Sequence, residues 1–147
     1  MTPNIHISML AVAIAVIANF VFGFLWFTPI FGKIWAKEMK FDMTNKPPMS
    51  TMLKGMIFMV IGNFLMAYVF AHNMAVWDPT TWGLAPSPMS ATSSALMAAV
   101  FTWLGFYFPV DLGSVAWEMK SWKLFFINTG YHLISLVIAA FVLVYVH

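Results

Sequence analysis

The stretch "FGFLWFTPIFGKIWAKEMK", Phe22 to Lys40, decides how the chain reads. An apolar run closes on Trp-Phe-Thr-Pro and passes at once into a segment that keeps Phe, Ile and Trp but gains three lysines. Lys33, Lys37 and Lys40 fall at i, i+4 and i+7, while Phe31, Ile34 and Trp35 occupy another sector. That spacing predicts a short amphipathic helix. Pro29 disfavours helix at Thr28, so the apolar run is expected to stop near Phe27. Trp26 and Phe27 then sit where aromatic rings favour the headgroup region. Together these features describe a membrane span that turns into an interfacial helix, whose like charges are offset by anionic headgroups.

The rest of the chain supports that setting. Apolar residues make up 62% of the 147 and charged residues 8%, with a mean hydropathy of +0.85, far above an ordinary soluble domain. A helical span needs about 20 apolar residues, and four windows qualify: roughly Ile5 to Phe27, Met52 to His72, Ser90 to Pro109 and Leu124 to Val146. The expected fold is all-α and membrane-embedded, a single domain over 1–147, with four transmembrane helices in two tandem hairpins. Each hairpin is expected to carry a cytoplasmic interfacial amphipathic helix. No Lys or Arg precedes the first span, so it is not expected to be a cleaved signal peptide. All seven lysines flank the first and third connections, which by the positive-inside rule places both termini and the loop Asn73 to Met89 outward. With no Cys, thiolate chemistry and disulfides are excluded. With no Arg, bidentate anion clamps are excluded too.

The third connection repeats the device. "LGFYFPVDLGSVAWEMKSWK", Leu104 to Lys123, again has an apolar run, a boundary proline and a Trp-containing amphipathic segment. Gly23 pairs with Gly105, Pro29 with Pro109, Gly32 with Gly113 and Glu38-Met39-Lys40 with Glu118-Met119-Lys120, at offsets of 80 to 82. Two hairpin units related by an axis along the membrane normal would give this pattern.

Small and polar residues mark the faces through which helices touch in lipid. Ala11, Ala15, Asn19 and Gly23 form such a stripe on the first span, and Gly55, Gly62, Asn63, Ala67 and Ala71 on the second. Ala91, Ala95, Ala98, Thr102 and Gly105 do so on the third, and Asn128, His132, Ser135 and Ala139 on the fourth. Counting about 1.5 Å per residue from the lysine-bearing ends brings Asn19, Asn63, Thr102 and His132 to one level. This polar layer reads either as interhelical glue or as a binding or conduction site. No Asp or Glu lies well inside any expected span, so His132 is the one titratable group at depth. Met52, Met56 and Met59 share a helical face, and thioethers can hold Cu(I), but Met is equally a flexible filler. His6, His72 and His147 lie at the outward ends, where solvation is the ordinary state. No metal site and no cofactor is therefore assigned. Without a G-x-S-x-G elbow, an H-E-x-x-H pair or a P-loop, the chain is not expected to be an enzyme.

"LWFTPIFGKIW" (Leu25 to Trp35) and "FFINTGYHLISL" (Phe125 to Leu136) resemble a family of small bacterial four-span membrane proteins, known as domain of unknown function seventeen-sixty-one. Trp26, Pro29, Phe31, Gly32, Trp35, Asn128, Gly130, Tyr131 and His132 carry the resemblance, with Phe27 and Thr28 where the family pattern has Tyr and Ser. The resemblance implies the topology and a bacterial cytoplasmic membrane, and no activity. The first expectation for function is a structural or interaction role, as a homo-oligomer or as an accessory subunit of a membrane complex. The alternative is an oligomeric small-solute or ion transporter, its path lined by Asn19, Asn63, Thr102, Asn128, Tyr131 and His132. Lipid and other membrane protein are the expected partners; nucleic acid is not.

Overall fold

The computed structural model describes residues 2–146, so His147 lies outside the described residues. The chain is helical throughout, without a strand among the described residues. Four stretches are long and apolar enough to cross a membrane: Met9–Ile30, Met49–Trp77, Ala91–Ala116 and Trp122–Tyr145. The elements are α1 (Met9–Leu25), α2 (Gly32–Glu38), α3 (Met49–Trp77), α4 (Ala91–Thr102), α5 (Phe108–Ala116) and α6 (Trp122–Tyr145). Serine side chains open three of them: Ser8, Ser90 and Ser121 accept from the amides of Ala11, Ser93 and Leu124. Each satisfies a first-turn donor that the helix cannot.

The first span does not stop at Phe27. Its backbone widens into a π-helical turn, Trp26–Ile30, that carries Pro29 inside it. A proline has no N–H to donate and its ring crowds the preceding turn. The wider i→i+5 register accommodates both, and the Phe31 amide bonds back to the Trp26 carbonyl at 2.9 Å. Gly32 then begins α2, pressed against the Phe27 carbonyl, where a Cβ would stand 2.6 Å from the oxygen. The Pro-x-x-Gly spacing is thus a single device, a proline that forces the wide turn and a glycine that fits beside it.

The third span departs further from expectation. It was expected to end at Pro109 and give way to an interfacial helix. Instead a second π-helical turn, Trp103–Tyr107, joins α4 to α5, and the helix runs on to Ala116. Pro109 sits in the first turn of α5, where a proline costs little. Residues 117–121 are then left for the connection, and part of the segment read as a second interfacial helix is taken up by α5. Asp111, read as lying beyond the span, is inside it.

The spans pack in the order α3, α1, α6, α4, with α6 central. Alanines hold the contacts: Ala15, Ala67, Ala95, Ala99, Ala139 and Ala140 are buried together around Val12, Phe70 and Leu136. Such faces let backbones approach closely, which drives association where lipid removes the hydrophobic advantage. Part of each small-residue stripe meets in this way, Ala67 and Ala71 of α3 included, but Gly55, Gly62 and Gly105 face open space. At one end the Asn4 amide donates to the Thr81 carbonyl, and the Thr92 and Tyr145 hydroxyls bond at 2.7 Å. The opposite end gathers α2, the lysine-rich connections and two left-handed residues, Lys40 (φ 55°) and Met119 (φ 56°). There Asp42 accepts from the Thr44 hydroxyl, the Thr44 amide and the Asn45 side chain, which holds its carboxyl below the usual range.

Candidate functional site

Two tryptophans set α6 in place. The Trp26 indole N–H donates to the Ile127 carbonyl (3.1 Å), and a Cβ at Gly130 would meet its ring at 3.6 Å. The Trp103 indole N–H donates to the Thr129 carbonyl (2.9 Å) and hydroxyl (3.0 Å). Each Trp opens one of the π-helical turns. A carbonyl inside a helix keeps a second lone pair for such a donor. Trp103 lies 77 positions after Trp26, so the two halves share this device in a different register from the 80 to 82 read in the sequence. Gly23 completes the seating: a Cβ there would meet the Tyr131 hydroxyl at 3.0 Å.

With α6 so held, His132 faces α5. Its Nδ1–H donates to Oδ2 of Asp111 at 2.8 Å, the two side chains being 29% and 11% exposed. The Asp111 carbonyl in turn accepts from the Ser114 hydroxyl. The rings of Tyr107 and Tyr131 stand 4.9 and 5.7 Å from the imidazole. A carboxylate therefore does lie within the helical bundle, and His132 is not alone as a titratable group. The sequence reading missed Asp111 because it ended the span at Pro109, two residues too early. The spacing of Tyr107 and Asp111, one helical turn apart, was the signal available.

α3 leans away from α4 and α5, leaving a groove floored by α6. A cavity of about 190 Å³ opens in it, lined by Met59, Gly62, Asn63 and Met66 from α3, Tyr107 from the π-helical turn, and Tyr131, His132, Ser135 and Leu136 from α6. A second, of about 220 Å³, continues toward the Trp77 end between Asn73 and Thr102 and shares Met66, Tyr107 and Leu136 with the first. Asn63 and Ser135 are 8% and 5% exposed, yet the Asn63 Nδ2 and the Ser135 Oγ have no partner within the protein. Buried polar atoms are almost always paired, and here two unpaired ones line one cavity.

Of the expected site residues, the fold brings Asn63, Tyr131 and His132 together. Thr102 lines the second cavity, and Asn128, half-buried, lines neither. Asn19 is fully buried between helices, with both side-chain polar atoms unpartnered. The Gly23–Tyr131 contact and the antiparallel course of α1 and α6 place it level with Ser135. Trp26, Phe31, Gly32 and Trp35 hold the first turn, in which Trp26 packs on Phe31 and Phe27 on Trp35. Among the described residues no three His, Cys, Asp or Glu side chains form a metal cluster.

The residues that build this arrangement, Trp26 through Trp35 and Gly130 to His132, fall inside a match to the family model described as "Protein of unknown function (DUF1761)", which covers residues 10–144. The chain belongs to the DUF1761 family. No curated protein and no solved structure matches it. Within the matched residues, the glycines and aromatics of these two stretches have physical tasks: Gly32 fits the wide turn, Gly130 receives an indole, Tyr131 covers Gly23, and His132 reaches Asp111.

Proposed function

We propose that this member of the DUF1761 family is a non-enzymatic membrane protein that binds and passes a small solute or ion through the groove between α3 and the third span. The observation that carries the reading is the cavity at His132. His132, whose Nδ1 is held by Asp111 from behind, and two buried, unpartnered polar side chains border one space between the apolar spans. Polar groups there are expensive and tend to mark pathways, whereas interhelical glue would leave its donors and acceptors paired. In this reading the lysine-rich end faces the cytoplasm of a bacterial cell and both termini face outward. The chain works as a homo-oligomer, because four spans with an open groove need a neighbour to close it.

A specific observation also favours an interaction role. Every residue from Met49 to Gly62 is exposed, so half of α3 is only thinly covered by the rest of the chain. An accessory subunit that docks through this helix would have that property.

Thermal unfolding in detergent separates the two. A solute that binds the native protein raises its unfolding temperature in proportion to ln(1 + [L]/Kd). A screen of ions and small polar solutes is expected to yield such a shift, and His132→Gln to remove it. Asn63→Leu, which loses no protein hydrogen bond at Nδ2, is expected to leave basal stability within about 1.5 kcal/mol. No shift with any solute, together with a large loss of stability in both variants, would leave the polar layer as packing alone.

A further inference from the structure

The cavity holds a second kind of chemistry, contributed by α3. Met59 and Met66 line it from one side and His132 from the other. His132 has its Nδ1 engaged by Asp111, which leaves Nε2 as its free nitrogen. We infer that this cavity binds a soft monovalent cation, Cu(I) or its analogue Ag(I), through the thioethers of Met59 and Met66 and Nε2 of His132. The inference rests on the reading of the groove as a pathway and names its cargo.

Three arguments converge on it. Thioether sulfur and imidazole nitrogen together select Cu(I) among biological metals, whereas Mg²⁺, Ca²⁺ and Mn²⁺ demand oxygen. Ligating histidines characteristically give their other N–H to a carboxylate, which fixes the tautomer and raises the basicity of the ligating nitrogen. Asp111 makes that contact at 2.8 Å. Charge is the third: the Born cost of taking an ion out of water grows with the square of its charge, so a site at membrane depth favours a monovalent ion over a divalent one.

The approach is also built. Met52, Met56, Met59 and Met66 follow one another at spacings of four, three and seven, which keeps all four on a single face of α3. Met52 and Met56 lie between the lysine-rich end and the cavity, both partly exposed. They form a run of thioethers that leads to His132, along which a soft cation can exchange ligands. Nothing is oxidised or reduced in this process. The ion enters and leaves as the monovalent species.

The test is a titration of the purified full-length protein in detergent with Ag(I), and with Cu(I) held reduced by ascorbate, each against a competing chelator. The expected result is one tight equivalent per chain, with X-ray absorption at the copper edge showing sulfur and nitrogen neighbours. The double variant M59L/M66L, which preserves volume, is expected to lose the tight equivalent, as is H132Q. D111N is expected to weaken it about 10- to 100-fold with the same neighbours. M43L, in the exposed connection, should change nothing. Absence of a tight equivalent, or one that survives in both M59L/M66L and H132Q, overturns the assignment. If Ag(I) fails while another solute still stabilises the protein through His132, only the cargo is wrong; if no solute does, the pathway reading falls with it.

Discussion

A side chain at position 32 has nowhere to go. The Cβ of an alanine would stand 2.6 Å from the Phe27 carbonyl oxygen, closer than real Cβ atoms approach, and that atom belongs to backbone already committed to the wide turn around Pro29. Gly113 is also helical, but nothing lies within 4 Å of the Cβ it lacks. The two glycines therefore respond oppositely. Gly32→Ala is expected to destabilise by about 1–3 kcal/mol, the usual cost of forced overpacking. Gly113→Ala is expected to be neutral or to stabilise by up to about 1 kcal/mol, through helix propensity alone. Thermal unfolding of the two variants under one detergent condition checks both. Equal effects would mean that the turn at Pro29 is less constrained than its geometry indicates.

At the scale of elements, the fold depends on two π-helical turns that present an indole to α6. Trp26 and Trp103 reach carbonyls only two residues apart, Ile127 and Thr129, so together they fix both the height and the rotation of the helix that carries His132. Trp→Phe at either position removes the donor and keeps an aromatic ring. Each is expected to cost about 0.5–1.5 kcal/mol, and the double variant to differ from the sum, since both act on one stretch of backbone. The sign of coupling is read from a double-mutant cycle on unfolding temperatures; strict additivity would show that the two tryptophans brace α6 independently. This is also the scale at which the sequence was partly opaque. Hydropathy located four spans, because apolar runs of that length have little else to do. It missed the continuation past Pro29 and Pro109, because a proline reads as a stop unless the backbone widens, and a wide turn leaves no mark in hydropathy. Asp111 was hidden by the same error. Asn63, Tyr131 and His132 were legible as polar residues at one depth, but their common cavity was not, since it arises from α3 leaning away from the third span.

For the molecule as a whole, the unevenness of α3 has the widest consequence. From Asn63 onward it is packed, with Ala67, Phe70 and Ala71 buried in the core. From Met49 to Gly62 every residue is exposed, and Gly55 and Gly62, seven residues apart and so on one face, offer bare backbone. Lipid solvates such a surface adequately, but small residues there permit a close approach that large ones would prevent. A second copy meeting this face would lie against Met59, Gly62 and Asn63, which border the cavity at His132. Assembly and the site are then linked, because whatever covers the lower half of α3 also closes the open side of the groove. Native mass spectrometry of protein gently extracted from its membrane is expected to show a homo-oligomer in the unmodified chain. Gly55→Leu and Gly62→Leu are expected to shift it toward monomer while leaving the helical content and the monomer's own unfolding intact, since no contact within one chain is lost. A stoichiometric foreign subunit in place of the second copy would turn the same surface into a docking face for that partner. A monomer in every preparation would mean that lipid alone faces Gly55 and Gly62, and that the groove stays open to the bilayer.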